Sequence, residues 1–281
     1  MKKHTTVMIV VFVVVITVTL SLYSRSRIAS RVSVVFLDVG QGDAMLITSP
    51  LGRQVLIDGG ASSQVLSGLR SQMSLFDKDI DMVIATHADQ DHVGGLVDVI
   101  RNYDVQTVGY NGLDAGGVAF REFARTVDEF QVPVQTLRAG SRIRIDRELY
   151  LEVLFPYEGY IHDDANEHSL VMRLVYGDTS LLLTGDVGVE VEQALVDIYG
   201  NHLQSDVLKL GHHGSKTSSS SVFLDIVDPE YAVVSASCDN RFGHPHGEVT
   251  DRVRARDIEI YETCREGDVV FESDGVVWLK K

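Results

Sequence analysis

Apolar and polar positions alternate in short runs along most of this chain, and the period of each run names an element. Residues 32–38, 44–48 and 54–57 are β-rich and separated by turns containing Gly, Asp and Pro, which predicts three strands. Residues 64–73 carry a helical period, 82–85 read as a buried strand, and 96–102 and 118–130 read as helices. Strand character returns over 143–155, followed by a hairpin of 170–176 and 180–183 around Gly177-Asp178. Helices are predicted at 189–199, 222–227 and 248–256, strands at 207–210 and 231–235, and a closing hairpin at 269–279.

Strands followed by helices occur twice in this order. An α/β protein of two packed sheets with helices on both outer faces, an αββα sandwich, suits that arrangement. Apart from the serines at 218–221, no low-complexity tract or short-period repeat appears. Two segments are expected: residues 1–30 as a membrane anchor or signal segment, and residues 31–281 as one catalytic domain.

The anchor expectation rests on Lys2 and Lys3 ahead of an apolar run from Val7 to Leu20, extended by Leu22 and Tyr23. The run is short for a spanning helix and suits a signal anchor or a signal h-region. Tyr23, Arg25 and Arg27 crowd the place where a small-x-small cleavage site would stand, favouring an uncleaved tether with the body outside the cytoplasm. Cleavage would make the protein secreted. Arg25, Arg27 and Arg31 pull towards the opposite orientation, because positive charge tends to stay inside.

Composition narrows the function classes. With 281 residues, 44% hydrophobic and 23% charged, the chain can bury a large core and is not disordered in bulk. A formal net charge of -15 argues against coating nucleic acid by non-specific attraction. A small anionic substrate stays open, because bound metal ions reverse the local field. Cys238 and Cys264 match no Cys-rich metal spacing, and either pair or stay free thiols.

The chemistry concentrates in Thr86-His87-Ala88-Asp89-Gln90-Asp91-His92, followed by Gly94-Gly95. Four metal-ligating side chains fall within six residues at the end of an apolar strand, in a pattern able to serve two Zn²⁺ or Mn²⁺ ions from one loop. Asp186 ends a strand in Thr-Gly-Asp, either to bridge two ions or to make a strand-end turn. Asp58 precedes two glycines, and either orients a ligand histidine or shapes a turn. His212 and His213 share a Gly-bounded loop, where one can hold metal and the other donate to a phosphoryl oxygen. His244 and His246 flank Pro245, which stiffens their loop, with His246 preferred as the functional one. Asp38 and Asp43 bracket a Gly-Gln-Gly turn suited to lie over the edge of a metal site. Lys209 either steadies anionic charge there or lies on the surface.

The His87–His92 stretch resembles the His-x-His-x-Asp-His signature of the metallo-β-lactamase superfamily, with Asp89 in place of the second histidine. That variant is similar to the ComEC-like competence-protein hydrolase domains. Six further pieces agree in order: Asp38-Val39-Gly40-Gln41-Gly42-Asp43-Ala44, Ile57-Asp58-Gly59-Gly60, Asn166-Glu167-His168-Ser169-Leu170, Thr184-Gly185-Asp186, the Leu208–Ser215 run around His212-His213, and Gly243-His244-Pro245-His246. The resemblance implies a metallo-β-lactamase sandwich with two divalent ions, zinc ahead of manganese, that acidify a water for attack on phosphorus. The implied metal set is His87, Asp89, Asp91, His92, Asp186 and His212, and Asp91, His213, Lys209 and His246 carry catalysis. Asn166 stands where many relatives have a histidine, with His168 nearby, so the first metal site has fewer protein ligands.

The implied activity is a phosphodiesterase, a ComEC-like DNA nuclease outside the cytoplasm working with DNA-uptake machinery. A single apolar segment cannot form a multi-helix channel, and no basic stripe marks a DNA track. The only local basic cluster is Arg138, Arg142, Arg144 and Arg147. A small phosphodiester, as in phosphorylcholine esterases, is the alternative substrate. A non-catalytic anchored module that binds DNA or a partner is the alternative class.

Overall fold

The computed structural model describes residues 31–281 except 75 and 114–116, together with residues 12, 16 and 17. The expected anchor, residues 1–30, lies outside the described residues but for those three. No helix among the described residues is long and apolar enough to cross a membrane.

In chain order the first half contains β1 (Val32–Phe36), β2 (Met45–Thr48), β3 (Gln54–Ile57), α1 (Val65–Gln72), β4 (Asp79–Ile80), β5 (Met82–Ala85), α2 (Gln90–Asn102), β6 (Asp104–Val105), β7 (Val108–Tyr110), α3 (Val118–Glu129) and β8 (Val134–Thr136). The second half contains β9 (Arg142–Arg144), β10 (Leu149–Phe155), β11 (Val171–Tyr176), β12 (Thr179–Leu183), α4 (Val189–Tyr199), β13 (Val207–Lys209), α5 (Ser221–Val227), β14 (Tyr231–Val234), α6 (Gly247–Arg254), β15 (Glu259–Glu262), α7 (Thr263–Glu266), β16 (Val269–Ser273) and β17 (Trp278–Lys280).

One sheet runs β17-β16-β1-β2-β3-β5-β7-β8, the other runs β15-β14-β13-β12-β11-β10-β9, and β4 pairs with β6. Strand alternation assigns the layers. Val55 and Ile57 of β3 join Leu181 and Leu183 of β12 in a core between the sheets, while Leu56 and Leu182 face outward. Leu56 packs with Leu69, Leu96 and Phe123 from α1, α2 and α3. Leu182 packs with Leu195, Leu224 and Val253 from α4, α5 and α6. The four layers are therefore helix, sheet, sheet, helix, as the order of elements predicts.

The structure departs from the sequence pattern in three places. Helix α2 starts at Gln90, not after Gly94-Gly95, so Asp91 and His92 lie on a helical first turn and not in a loop. The glycine pair, a breaker by propensity, serves close packing: a Cβ on Gly95 would stand 2.0 Å from the Gly59 carbonyl oxygen. The 143–155 run divides into β9 and β10, paired antiparallel. Short strands β7, β8 and β15 also escape the sequence pattern, each being three or four residues long. Cys238 and Cys264 form a disulfide that pins the loop after β14 to α7.

Candidate metal centre

The parallel strands β3 and β5 of one sheet and β12, β13 and β14 of the other end at one rim, where the candidate residues gather. β5 delivers His87, α2 delivers Asp91 and His92, and the turn after β12 delivers Asp186. Asp43 arrives from the β1–β2 loop, which lies so close to α2 that a Cβ on Gly42 would stand 2.1 Å from the Asp91 carbonyl oxygen. That contact lets the Asp43 N–H donate to the same oxygen at 3.1 Å.

Asp58 follows β3 with a left-handed φ of 58°. Its Oδ1 accepts from the Thr86 N–H at 2.8 Å, and its Oδ2 from the Thr86 hydroxyl at 2.7 Å. His92 Nδ1 lies 2.8 Å from the same Oδ2, which leaves Nε2 facing Asp186 Oδ2 at 3.3 Å. Asp58 thus both shapes its turn and orients a ligand histidine. His213 is oriented in the same way: Nδ1 donates to the Ser235 carbonyl at 2.8 Å, and Nε2 faces Asp186 at 3.1 Å and Asp91 at 3.3 Å. His212 and His213 have φ of 48° and 55°, consecutive left-handed residues that are strained outside glycine and are held where a site needs them.

Among the described residues, four sets of donor atoms lie within 4.8 Å of one another: His87/His92/Asp186, Asp91/His92/His213, Asp43/Asp58/His92 and Asp43/Asp186/His213. Asp43 Oδ1, His87 Nε2, His92 Nε2, Asp186 Oδ1 and His213 Nε2 are buried without a hydrogen bond of acceptable geometry. Five orphaned donor atoms gathered at one rim in overlapping sets, in a mixture of imidazole and carboxylate, fit a divalent cation. His87, Asp91, His92, Asp186 and His213 are the residues placed to hold it.

The electrostatics follow from that crowding. Burial alone would depress His92, but Asp186 and Asp58 overrule it and hold the imidazole well above its ordinary value. His213 behaves alike, with burial outweighed by Asp186 and Asp43. Burial and the neighbouring His92 push His87 down to about 3, leaving it neutral with a free lone pair. Burial would raise Asp186, Asp91 and Asp43, yet the surrounding cations keep all three carboxyls below the usual range. Lys209 is 3% exposed, which rules out the surface reading. Against the pull of burial, Asp43 and Asp186 keep it charged, and its Nζ contacts both and donates to the Gly185 carbonyl at 3.2 Å.

Of the expected ligands, the structure brings together His87, Asp91, His92 and Asp186 but not Asp89 or His212. Asp89 is the exposed N-cap of α2, because the first helical turn swings Asp91 and His92 inward and leaves the cap outside. Burial and the adjacent Asp91 raise its carboxyl. His212 belongs to no donor set, and His213, expected as a proton donor, takes the central place. The His212 ring lies 5.6 Å from His244 at the mouth of the site. His246 is committed to backbone: its Nδ1 accepts from the Lys216 N–H at 3.2 Å and it caps α6. His244 stands 6.2 Å from His213 by ring centroid, with Nδ1 buried and unpartnered, so it is the nearer of that pair. Burial and the flanking histidines push His244 down to about 4. Asn166 Oδ1 is also buried without a partner, and its turn is tied to the centre where Ser169 Oγ accepts from the Asp186 N–H at 3.0 Å. His168 is turned elsewhere, its Nε2 lying 2.8 Å from the His162 carbonyl oxygen. Asp38 shapes its own loop through the Gly40 N–H.

A family model for the metallo-beta-lactamase superfamily matches residues 37–238. Competence protein ComA of Neisseria gonorrhoeae is 36% identical over 248 residues, spanning 86% of this chain and 32% of that protein. ComE operon protein 3 of Bacillus subtilis is 30% identical over 272 residues, spanning 91% of this chain and 35% of that protein. The chain therefore spans about a third of the length of these curated relatives. Among solved structures, the metallo hydrolase Igni18 of Ignicoccus hospitalis superposes with a TM-score of 0.57 at 15% identity, covering 86% of this chain and 98% of that one. YhfI of Bacillus subtilis, a metallo-beta-lactamase fold protein, gives 0.57 at 15% identity with 86% and 99% covered. At that identity the likeness concerns the fold, which the layers above already describe. The chain belongs to the metallo-β-lactamase superfamily of metal-dependent hydrolases, as a ComEC-like domain.

Proposed function

We propose that this domain hydrolyses phosphodiester bonds of DNA on the extracytoplasmic side of a membrane, tethered through residues 1–30 and working with DNA-uptake machinery. The observation that carries the chemistry is the convergence of His87, Asp91, His92, Asp186 and His213, with unpartnered imidazole nitrogens, at one strand-end rim. The relatives named competence proteins support the substrate and the partner.

A divalent cation held by these side chains supplies Lewis acidity to a phosphoryl oxygen and to the attacking water. The chain's residues do the rest. Asp58 and the Ser235 carbonyl fix the two central imidazoles so that Nε2 points inward. Lys209 offsets Asp43 and Asp186, lowering the repulsion that an incoming phosphodiester meets. Its partners occupy it, so it positions carboxylates and does not reach the substrate. Asp91, half-exposed beside His213, is the carboxylate with access to an attacking water. His212 and His244 at the mouth supply N–H donors for the phosphoryl and leaving oxygens.

The net charge of -15 favours a second reading, a small phosphodiester substrate in place of a polymer. Incubating the full chain, loaded with zinc or manganese, with single-stranded DNA, double-stranded DNA and bis-p-nitrophenyl phosphate separates the readings. Cleavage of DNA supports the first, and cleavage of the small diester alone supports the second. A metal-loaded chain inactive on all three leaves a non-catalytic binding module.

A further inference from the structure

A cavity of about 340 Å³ opens beside His87 and Ala88, between the end of β7, the start of α3 and the segment around Ile161. The geometry points to a base-binding subsite: this cavity takes the heterocyclic base of an unpaired nucleotide whose phosphodiester lies at the metal centre. The inference rests on the phosphodiesterase reading and adds the substrate element recognised next to phosphorus.

Three observations carry it. His87 belongs both to the donor cluster and to the cavity wall, so a group in the cavity is one side chain from the reacting centre. Aromatic rings line part of it: Tyr110 and Phe120 pack with ring centroids 5.9 Å apart, and Ile161, 85% exposed, stands at the rim. Exposed apolar surface beside a reactive centre is stabilised by a ligand that displaces its water, and every base has an apolar face. Finally, the lining mixes polar with apolar groups: Asn111, His162 and His168 stand among Tyr110, Leu113 and Phe120. A ring with apolar faces and a polar edge suits walls of that mixed kind.

Size narrows the occupant. The volume sits at the lower end of the roughly 300–1,000 Å³ of small-molecule sites, enough for one nucleotide base and closed to a duplex. Among the described residues Asp163 is the one carboxylate of the lining, and it is exposed.

The test compares three diesters that share a leaving group: p-nitrophenyl thymidine 5′-phosphate, methyl p-nitrophenyl phosphate and p-nitrophenylphosphorylcholine. With the metal-loaded full chain, kcat/KM for the thymidine diester should exceed that for the methyl diester by about fivefold or more, the lower bound of base stacking. Ile161→Asp, on an exposed side chain, should shrink that ratio through KM, as should Tyr110→Ala, with Tyr110→Phe restoring it. Equal kcat/KM for the thymidine and methyl diesters, a ratio unchanged by Ile161→Asp and Tyr110→Ala, or preference for the choline diester overturns the subsite. Calorimetric binding of thymidine 5′-monophosphate against methyl phosphate provides a readout without turnover. Tighter binding of the nucleotide, weakened by Ile161→Asp, upholds the subsite even if no diester is cleaved; equal binding overturns it.

Discussion

The carboxylate of Asp58 holds His92 Nδ1 at 2.8 Å while accepting two further hydrogen bonds from Thr86, so one buried aspartate sets both the strand end and the ligand ring. Asp58→Asn tests that arrangement with almost no change of shape. An amide N–H in place of Oδ2 forces His92 Nδ1 to accept, which moves the ring proton to Nε2, the nitrogen facing the cation. Metal affinity should fall by about 10- to 100-fold, measured by competition with a chromogenic chelator. Unchanged affinity would show that Asp58 only shapes its turn.

Asp91 and Asp186 differ in what their loss should do. Asp186 is buried and faces His92, His213 and Lys209, whereas Asp91 is half-exposed, faces His213 and shares a donor set with His92 and His213. Either replaced by Ala should cut phosphodiesterase activity by at least about a hundredfold, the scale of removing a charge-stabilising element. Asp186→Ala should also lower metal content, and Asp91→Ala should do so less. Circular dichroism should report the native fold for both, and an Asp91→Ala enzyme of full activity would relocate the site.

Much of the fold was legible because each sheet alternates inward and outward residues, and helices 64–73, 118–130 and 189–199 keep an apolar stripe. The start of α2 was not. Gly94 and Gly95 lower helix propensity, and the close approach of the Ala61 backbone to Gly94 and of Gly59 and Ser62 to Gly95 explains them. In the site, spacing exposed His87, Asp91 and His92 as a group, together with Asp89, which the helix start leaves outside; Asp186 joined them through the family resemblance. The sequence put His212 in the metal set and preferred His246, whereas the structure gives His213 the central place and brings His244 nearer. Those choices depend on consecutive left-handed residues and on the carbonyl of Ser235 and the N–H of Lys216, none of which is encoded within the motif. Lys209 read as exposed or near the site with equal ease, because its burial comes from partners on two other segments.

The histidine pair separates cleanly by metal content. His213→Ala removes a nitrogen shared by two donor sets and should lower zinc occupancy, read by elemental analysis after dialysis. His212→Ala and His244→Ala should keep the metal and lose turnover, because both rings stand at the mouth. Equal metal loss from His212→Ala would return it to the ligand set.

The positive start and lone apolar run of residues 1–30 yield a topological expectation. A reporter fused after Lys281, an exposed terminus, should be active only when it functions outside the cytoplasm. Cytoplasmic activity alone would reverse the orientation, with Arg25, Arg27 and Arg31 as the physical cause.

The pH response should have opposite signs with and without metal. In the metal-free fold the carboxylates of Asp186, Asp58 and Asp43 hold His92 and His213 well above the ordinary imidazole value, against the pull of burial. Two imidazolium protons carry the same charge as one divalent cation, so they balance the buried carboxylates in its place. A raised histidine contributes stability that is fully present below the unfolded value of about 6.5 and is lost as pH climbs through the folded value. Metal-free protein in chelator should therefore lose thermal stability from about pH 6.5 upward. Metal binding must displace those protons, so zinc affinity should rise with pH by up to about tenfold per unit for each proton released. Thermal denaturation between pH 6 and pH 9 should show the zinc-dependent increment in Tm widening as pH rises. An increment that stays constant across that range would mean that His92 and His213 bind zinc without giving up protons, and that the carboxylates are not what holds them charged.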